Sequence, residues 1–150
     1  MPDPPTKRDL LLSAKVSLRI EASPDALDRI NEAVDSLSSQ EEWPPDLLFT
    51  ANLVIEELGL NVINHAYHGE SGEFEIIIVS DDDALTIELI DSGPPFNMLT
   101  DAPVPDVDAP VEERPIGGLG IHLVKTMMDE LDYRRERDRN HLTIVKRRNK

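Results

Sequence analysis

The sequence predicts one α+β domain, a two-layer α/β sandwich in which helices cover one face of a mixed, mostly antiparallel sheet. The length of 150 residues suits a single hydrophobic core. Hydrophobic residues make up 39% and charged residues 30%, as is typical of a globular protein. The patterns along the chain read strand, helix, helix, hairpin, loop, helix and hairpin. This order favours helices layered on one side of a sheet.

The first half of the chain contains one predicted strand and two predicted helices. Residues 1–9 are polar and rich in proline, and we expect a loose end there. Alternating apolar and polar residues at 10–20 predict a strand. Serine, proline and aspartate at 23–25 provide an N-cap and a first turn for a helix. A second, longer helix is predicted from residue 43 to about residue 68, because glycines follow it.

A hairpin and a long loop follow the second helix. The strands are predicted at residues 73–80 and 84–91, around a turn of three aspartates. Residues 92–116 hold six of the chain's twelve prolines. A loop of that length within a compact domain is usually functional or mobile.

The last quarter of the chain is predicted to contain a helix at residues 121–131 and a second hairpin. The strands of this hairpin are expected at 133–136 and 142–146, with the turn at residues 138–140. Between residues 134 and 150, eight basic residues stand against two acidic ones. Because they flank a strand in an otherwise acidic chain, we expect them to pair with acidic residues rather than to bind nucleic acid.

Composition excludes several classes of function. A formal net charge of −15 repels DNA and anionic membranes, so neither is expected as a partner. The absence of cysteine excludes disulfides, thiolate metal sites and cysteine nucleophiles. No apolar run approaches the roughly 20 residues that span a bilayer. No signal-peptide pattern is visible, so a cytoplasmic location is expected.

A polar stripe on the second helix is the first candidate functional feature. Glu57, Asn61 and His65 are spaced four residues apart and therefore share one face of an α-helix. The Asn61 side-chain oxygen can bind Mg²⁺, which prefers oxygen ligands. Glu57 can accept a proton from an attacking hydroxyl or water. Taken singly, each residue is explained more simply by a solvated helix face, with His65 as a C-terminal cap.

A polar turn at residues 91–96 is the second feature, at the end of a predicted strand. Asp91 can accept a hydrogen bond from an exocyclic amine such as that of adenine. Gly93 leaves room for a flat ring to approach the backbone. An ordinary turn explains the same residue types.

A glycine-rich run at residues 117–120 leads into a predicted helix and is the third feature. Free backbone N–H groups and the positive end of a helix dipole can bind phosphate there. The run is neither a P-loop nor a Rossmann fingerprint, since it has no Gly-Lys-Ser/Thr and no strand directly before it. It is explained either as a hinge or as part of a lid that closes on a nucleotide.

Together, and in this order, the three features resemble the N, G1 and G2 boxes of the GHKL ATPases. The resemblance covers about residues 10–148. Within that superfamily, three motifs are similar to those of the RsbW/SpoIIAB anti-sigma-factor serine/threonine kinases: Glu-x-x-x-Asn-x-x-x-His-Ala-Tyr, Asp-x-Gly-Pro-Pro-Phe and Gly-Gly-Leu-Gly-Ile-x-Leu-Val. Asn97 departs from the pattern, because many relatives have aspartate there. The departure concerns the lid more than nucleotide binding.

The resemblance implies a Bergerat-type ATP-binding fold over residues 1–150, with ATP between the long helix, the sheet and a lid at 92–116. It implies Glu57 as the general base, Asn61 as the Mg²⁺ ligand and Asp91 as the adenine contact. The other nucleotide-binding residues that it implies are His65, Gly93, Phe96, Gly118, Leu119, Gly120 and, as a softer analogy, Thr143. A histidine kinase is not expected, because no dimerisation helix with a phospho-acceptor histidine is evident.

The resemblance further implies an ATP-dependent serine/threonine kinase acting as an anti-sigma factor. Its substrate would be a serine on a STAS-type anti-anti-sigma partner, and it would hold a sigma factor inactive. An ATP-binding switch that sequesters a partner without phosphoryl transfer is the alternative, and a structural domain without nucleotide is the third hypothesis. The presence of Glu57 on the same stripe as Asn61 favours the kinase. Homodimerisation through the sheet side, frequent among relatives, is left open.

Overall fold

A computed structural model describes residues 13–66, 72–101 and 118–148. Its helices and strands are β1 (Ser13–Glu21), α1 (Pro24–Gln40), α2 (Pro45–Asn61), β2 (Glu73–Asp81), β3 (Ala84–Asp91), α3 (Met98–Asp101), α4 (Gly118–Met127), β4 (Glu130–Glu136) and β5 (Arg139–Arg147). The strands form a five-stranded sheet of order β1-β2-β3-β5-β4. All neighbouring strands are antiparallel, so the predicted α+β class is confirmed, with no parallel pair among the described strands.

The core lies between one face of the sheet and the helices. Alternate residues of β2, namely Phe74, Ile76 and Ile78, are at most 1% exposed, whereas the residues between them are partly exposed. This period of two assigns each side chain to one face. Ile30 of α1 and Leu58 of α2 belong to the same buried cluster. Each such apolar side chain contributes roughly 1.5–3 kcal/mol on burial, and the helices are therefore held on this one face.

The second helix is interrupted earlier than predicted. Its α-helical part ends at Asn61 and continues as a π-helical turn, Val62–Ala66. The remainder of the predicted helix, residues 67–68, lies outside the described part of the chain. Single π-helical turns within α-helices are frequent at functional sites.

The predicted lid is only partly described, because residues 102–117 lie outside the described part of the chain, as do residues 1–12. Its first ten residues contain the short helix α3, where no secondary structure was predicted. The Asn97 side chain accepts a hydrogen bond from the Leu99 N–H at 2.9 Å, in the manner of an N-cap. Met98 is buried in the core cluster. Burial of the Met98 side chain therefore stabilises a helical turn at the beginning of the predicted loop.

The last helix and hairpin differ from prediction at their ends. α4 begins within the glycine run and ends at Met127 rather than at residue 131. The Asp129 N–H donates to the Val145 carbonyl at 2.9 Å, so the chain has already joined the sheet by that point. β4 and β5 are connected by the two residues Arg137 and Asp138, with φ of 53° and 61°. Such a tight turn lengthens both strands and includes Asn140 in β5.

No helix within the described ranges is long and apolar enough to cross a membrane.

Candidate functional site

The C-terminal half of α2 and the first turn of α4 meet at Glu57 and Gly120. A Cβ atom placed on Gly120 would lie 1.8 Å from Glu57 Oε2, and its three nearest atoms all belong to Glu57. Only a residue without a side chain therefore allows this carboxylate to lie against the α4 backbone. The structure thus brings together two of the predicted site residues that are 63 positions apart in the sequence.

The Glu57 carboxyl group has an altered acidity. Burial raises its pKa above the usual value of 4.5, and the neighbouring negative charge of Glu56 raises it further. A carboxylate with a raised pKa is a stronger base than one at the usual value, and this is a property that a proton acceptor at this position requires.

Asn61 lies one helical turn after Glu57 and is only 5% exposed. Its amide nitrogen donates to the Glu57 backbone carbonyl at 2.8 Å. Because the nitrogen is used within the helix, the side-chain oxygen is the atom that a hard cation can bind. Within the described ranges, no group of three or more His, Asp or Glu side chains is arranged to hold a metal.

The structure gives the backbone positions of three further predicted site residues, His65, Gly118 and Leu119. His65 lies in the π-helical turn, so the four-residue spacing that placed it beside Asn61 no longer marks one α-helical face. Gly118 and Leu119 lie in the first turn of α4, whereas the sequence predicted that the glycine run precedes the helix.

Asp91 lies at the end of β3 on the face of the sheet that the helices cover, and it is 4% exposed. Its Oδ1 accepts the Gly93 N–H at 2.9 Å and an N–H of the Asn140 side chain at 2.8 Å. None of the hydrogen bonds between described residues uses Oδ2. The Phe96 N–H donates to Asn140 Oδ1 at 3.3 Å, so Asp91, Gly93 and Phe96 are joined through one further residue.

Asn140 contacts Asp91 in the candidate site, and the sequence predictions missed it. They placed it in the last turn, whereas the strand register places it directly opposite Asp91. One signal was available, since Asp138 belongs to a residue type that tolerates positive φ and so suits a two-residue turn. A turn ending at residue 138 would have predicted Asn140 in the strand.

Thr143 is not brought together with Asp91. It is paired with Glu88, three positions before Asp91 on β3. Leu142 and Ile144, on either side of Thr143, are buried against the helices, so Thr143 lies on the opposite face of the sheet. The implied contact of Thr143 with the adenine site is therefore wrong for this chain.

A cavity of about 120 Å³ lies far from these residues, at the first turn of α2. Its walls are formed by Pro44, Asp46, Leu47, Thr50, Lys146, Arg147 and Arg148. None of the predicted site residues lines it. The candidate site is therefore defined by its side-chain contacts at the other end of α2 and not by this cavity.

Comparison with known proteins gives one family and a set of relatives. A family model described as a histidine kinase-like ATPase domain matches residues 20–146, a range that includes Glu57, Asp91, Gly120 and Asn140. The serine-protein kinase RsbW of Bacillus mycoides (strain KBAB4) is 28% identical over 120 residues, which cover 78% of this chain and 75% of the relative. The RsbW of Bacillus cereus (strain B4264) is 29% identical over the same length.

Proposed function

The chain belongs to the histidine kinase-like ATPase domain family, and from this premise we propose that it is an ATP-dependent serine/threonine protein kinase. The family match confirms the resemblance that the sequence motifs predicted. The proposal is carried by the contact between Glu57 and Gly120, which places a carboxylate of raised pKa at the start of a glycine-rich helix. The name of the RsbW relatives, serine-protein kinase, supports serine as the acceptor.

We assign the nucleotide contacts as follows. Asp91 Oδ2 accepts a hydrogen bond from the exocyclic amine of adenine, and Gly93 leaves space for the ring. The backbone N–H groups at the start of α4, at Gly118, Leu119 and Gly120, bind the phosphates. Residues 92–101, the described part of the predicted lid, would cover them.

A bound Mg²⁺ neutralises phosphate charge, and Asn61 would hold it through the side-chain oxygen. This assignment is supported by the hydrogen bond that directs the other end of the Asn61 amide into the helix backbone. The remaining ligands would come from the phosphates and water.

In the transfer step, Glu57 accepts the proton of the attacking serine hydroxyl. A bond forms between the serine oxygen and the γ-phosphorus, the bond from that phosphorus to the β–γ bridging oxygen breaks, and ADP leaves. Most of the rate enhancement comes from positioning and from charge neutralisation, as is general for phosphoryl transfer. The raised pKa of Glu57 increases its affinity for this proton.

We propose a STAS-type anti-anti-sigma protein as the substrate and a sigma factor as a second partner, both by analogy with the RsbW/SpoIIAB group.

A second copy of the chain would pack on the face of the sheet that the helices leave uncovered. Ile77, Val79 and Val145 are partly exposed on this face and support such an apolar contact. Sedimentation of the full chain tests the dimer, and a monomer at micromolar concentration would contradict it.

The kinase proposal is tested with γ-labelled ATP, Mg²⁺ and a purified STAS protein from the same cell. Wild type should transfer label to a serine, and Glu57→Gln should reduce the rate by about 10²- to 10⁴-fold, the usual contribution of a general base. Glu32→Gln is the control, since it removes an exposed carboxylate from α1 and not from the helix that carries Glu57. Full transfer by Glu57→Gln would reject the mechanism, and ATP binding without transfer by wild type would favour the switch.

A further inference from the structure

We propose that Asn140 is a positioning residue that fixes the Asp91 carboxylate for adenine and thereby sets the preference for adenine over guanine. This inference rests on the proposed ATP site. It adds to that site a residue on a different strand, which never contacts the nucleotide itself.

The orientation of the Asn140 amide is determined by its surroundings. Its oxygen accepts hydrogen bonds from the Tyr133 hydroxyl at 2.5 Å, from the Arg135 guanidinium at 3.2 Å and from the Phe96 N–H at 3.3 Å. Its nitrogen donates to Asp91 Oδ1 at 2.8 Å and to the Pro94 carbonyl at 2.9 Å. Reversing the amide would place an oxygen against two acceptors and a nitrogen against the N–H donors of Arg135 and Phe96, which cannot accept. The amide therefore has one stable orientation.

The fixed amide in turn fixes Asp91. Asp91 Oδ1 accepts from both Asn140 and the Gly93 N–H, so rotation of the carboxylate would break two hydrogen bonds in a buried place. Arg135 also donates to the Gly93 carbonyl at 2.7 Å, which ties β4 to the turn after β3. Asp91 Oδ2 is the oxygen that remains for a ligand. Because this acceptor is held in place before binding, little conformational freedom is lost when a base is bound.

A fixed carboxylate oxygen discriminates between purines by hydrogen-bond polarity. Adenine presents an exocyclic amine donor at the position where guanine presents a carbonyl acceptor, and a carboxylate accepts only from the donor. Without Asn140, the Asp91 carboxylate can rotate, and the contact with the amine weakens. Contacts to the phosphates, on α4, do not depend on this network.

The test measures the Kd of ATP, GTP and inorganic tripolyphosphate for the full chain by calorimetry with Mg²⁺. Asn140→Ala should weaken ATP binding on the order of tenfold, the effect of losing one hydrogen bond to a charged group. It should leave tripolyphosphate binding unchanged and reduce the ratio of ATP to GTP affinity. His141→Ala is the control, because His141 follows Asn140 on the same strand but lies on the uncovered face beside Glu88.

Asn140→Asp serves as a second variant, because it preserves the size of the side chain and the oxygen that accepts from Tyr133, Arg135 and Phe96. It replaces the amide nitrogen, the donor to Asp91 and to the Pro94 carbonyl, by a second oxygen, and it should show the same selective loss of ATP affinity if Asn140→Ala does not fold. Equal losses of affinity for ATP and tripolyphosphate, or wild-type ATP affinity in both variants, would contradict the role of Asn140 but not the proposed function. Failure of the wild type to bind ATP would contradict both the role of Asn140 and the proposed function.

Discussion

Glu57 Oε2 occupies the space where any residue other than glycine at position 120 would place its Cβ, 1.8 Å away. A glycine run at a helix start is ordinarily explained by backbone N–H groups that bind phosphate. Here, Gly120 also makes room for the proposed base. One residue therefore joins two parts of the mechanism that the sequence motifs present as separate boxes.

Gly120→Ala should abolish most phosphoryl transfer while changing stability little. The Glu57 side chain is long enough to move away from a new methyl group, so the free energy of unfolding falls by about 1 kcal/mol or less, but the carboxylate leaves its position. A displacement of about 1 Å can lower a rate on the order of 10²-fold. Initial rates with saturating ATP and partner measure the loss, and thermal unfolding measures the stability.

A double variant separates two explanations for the loss of transfer in Gly120→Ala: displacement of Glu57 by the new methyl group, and a disturbed phosphate contact at Gly120. In a Glu57→Ala background the three nearest atoms to the new Cβ are absent. Gly120→Ala should then leave the affinity for ATP within about twofold of the Glu57→Ala single variant, by the usual double-mutant comparison. A large additional loss of ATP affinity in the double variant would indicate that the methyl group disturbs the phosphate contacts directly.

Gly59→Ala should affect stability rather than transfer, and it is the matched substitution on the helix that carries Glu57. A Cβ at Gly59 would meet Leu27 Cδ2 of α1 at 2.5 Å, so the two helices must separate or Leu27 must change rotamer. Overpacking costs about 1–3 kcal/mol, partly offset by the roughly 1 kcal/mol by which alanine favours a helix. Urea unfolding should give a net destabilisation of about 1 kcal/mol with unchanged ATP affinity. An unchanged midpoint would show that Leu27 adapts freely.

Ser80→Ala should destabilise the domain, because it removes the hydrogen-bond acceptor of Trp43, which lies just before α2. The Trp43 indole N–H donates to the Ser80 hydroxyl at 2.8 Å, and both residues are buried. Removing the acceptor leaves a buried N–H unpaired, which costs about 1–3 kcal/mol. Trp43 is the only tryptophan in the sequence, so its fluorescence reports unfolding directly. Ser17→Ala on the uncovered face of β1 is the control and should leave the urea midpoint within error of wild type.

Local sequence patterns predicted the parts of the site that lie within one element. The spacing of Glu57 and Asn61 could be read from the chain, because an α-helix fixes the relation of residues four apart, and the hydrogen bond between them lies in that same turn. The strands before and after the three aspartates were predicted to within one residue, since the alternation of apolar residues is regular there.

Contacts between residues on different strands could not be predicted from those local patterns. Whether a residue on β5 lies beside Asp91 depends on strand register, and a shift of one residue moves a side chain to the other face. The register depends on the turn at Arg137 and Asp138, which was predicted to lie one to two residues later. For this reason Asn140 was assigned to a turn, whereas the register places it opposite Asp91. The role of Thr143 was implied by the family resemblance, and the same register places Thr143 opposite Glu88. The contact of Glu57 with Gly120 depends likewise on how α2 packs against α4, for which the sequence has no local signal.

The pKa of Glu57 leads to opposite pH effects on activity and on stability. Burial and Glu56 raise this pKa in the folded state, so the folded protein binds the proton more tightly than the unfolded chain does. Ionised Glu57 therefore costs stability, and the cost grows as pH rises from the unfolded value of about 4.5 through the raised folded value. The transfer rate shows the reverse dependence, because only the ionised carboxylate can accept a proton.

Glu57→Gln should accordingly be at least as stable as wild type at pH 8 and should lose that relative advantage as pH falls to about 4.5, while its transfer rate stays low throughout. Paired thermal unfolding of the two proteins from pH 4 to pH 8 measures the difference, and the kinase assay over the same range measures the rate.

Glu56→Gln is the control for a general change of surface charge. It should also lower the pKa of Glu57, because it removes the neighbouring negative charge, and so move the acidic limb of the rate profile to lower pH. If the acidic limb did not move in Glu56→Gln, that carboxylate would not contribute to the raised pKa. If Glu57→Gln were less stable than wild type at every pH, the ionised carboxylate would stabilise the fold rather than strain it.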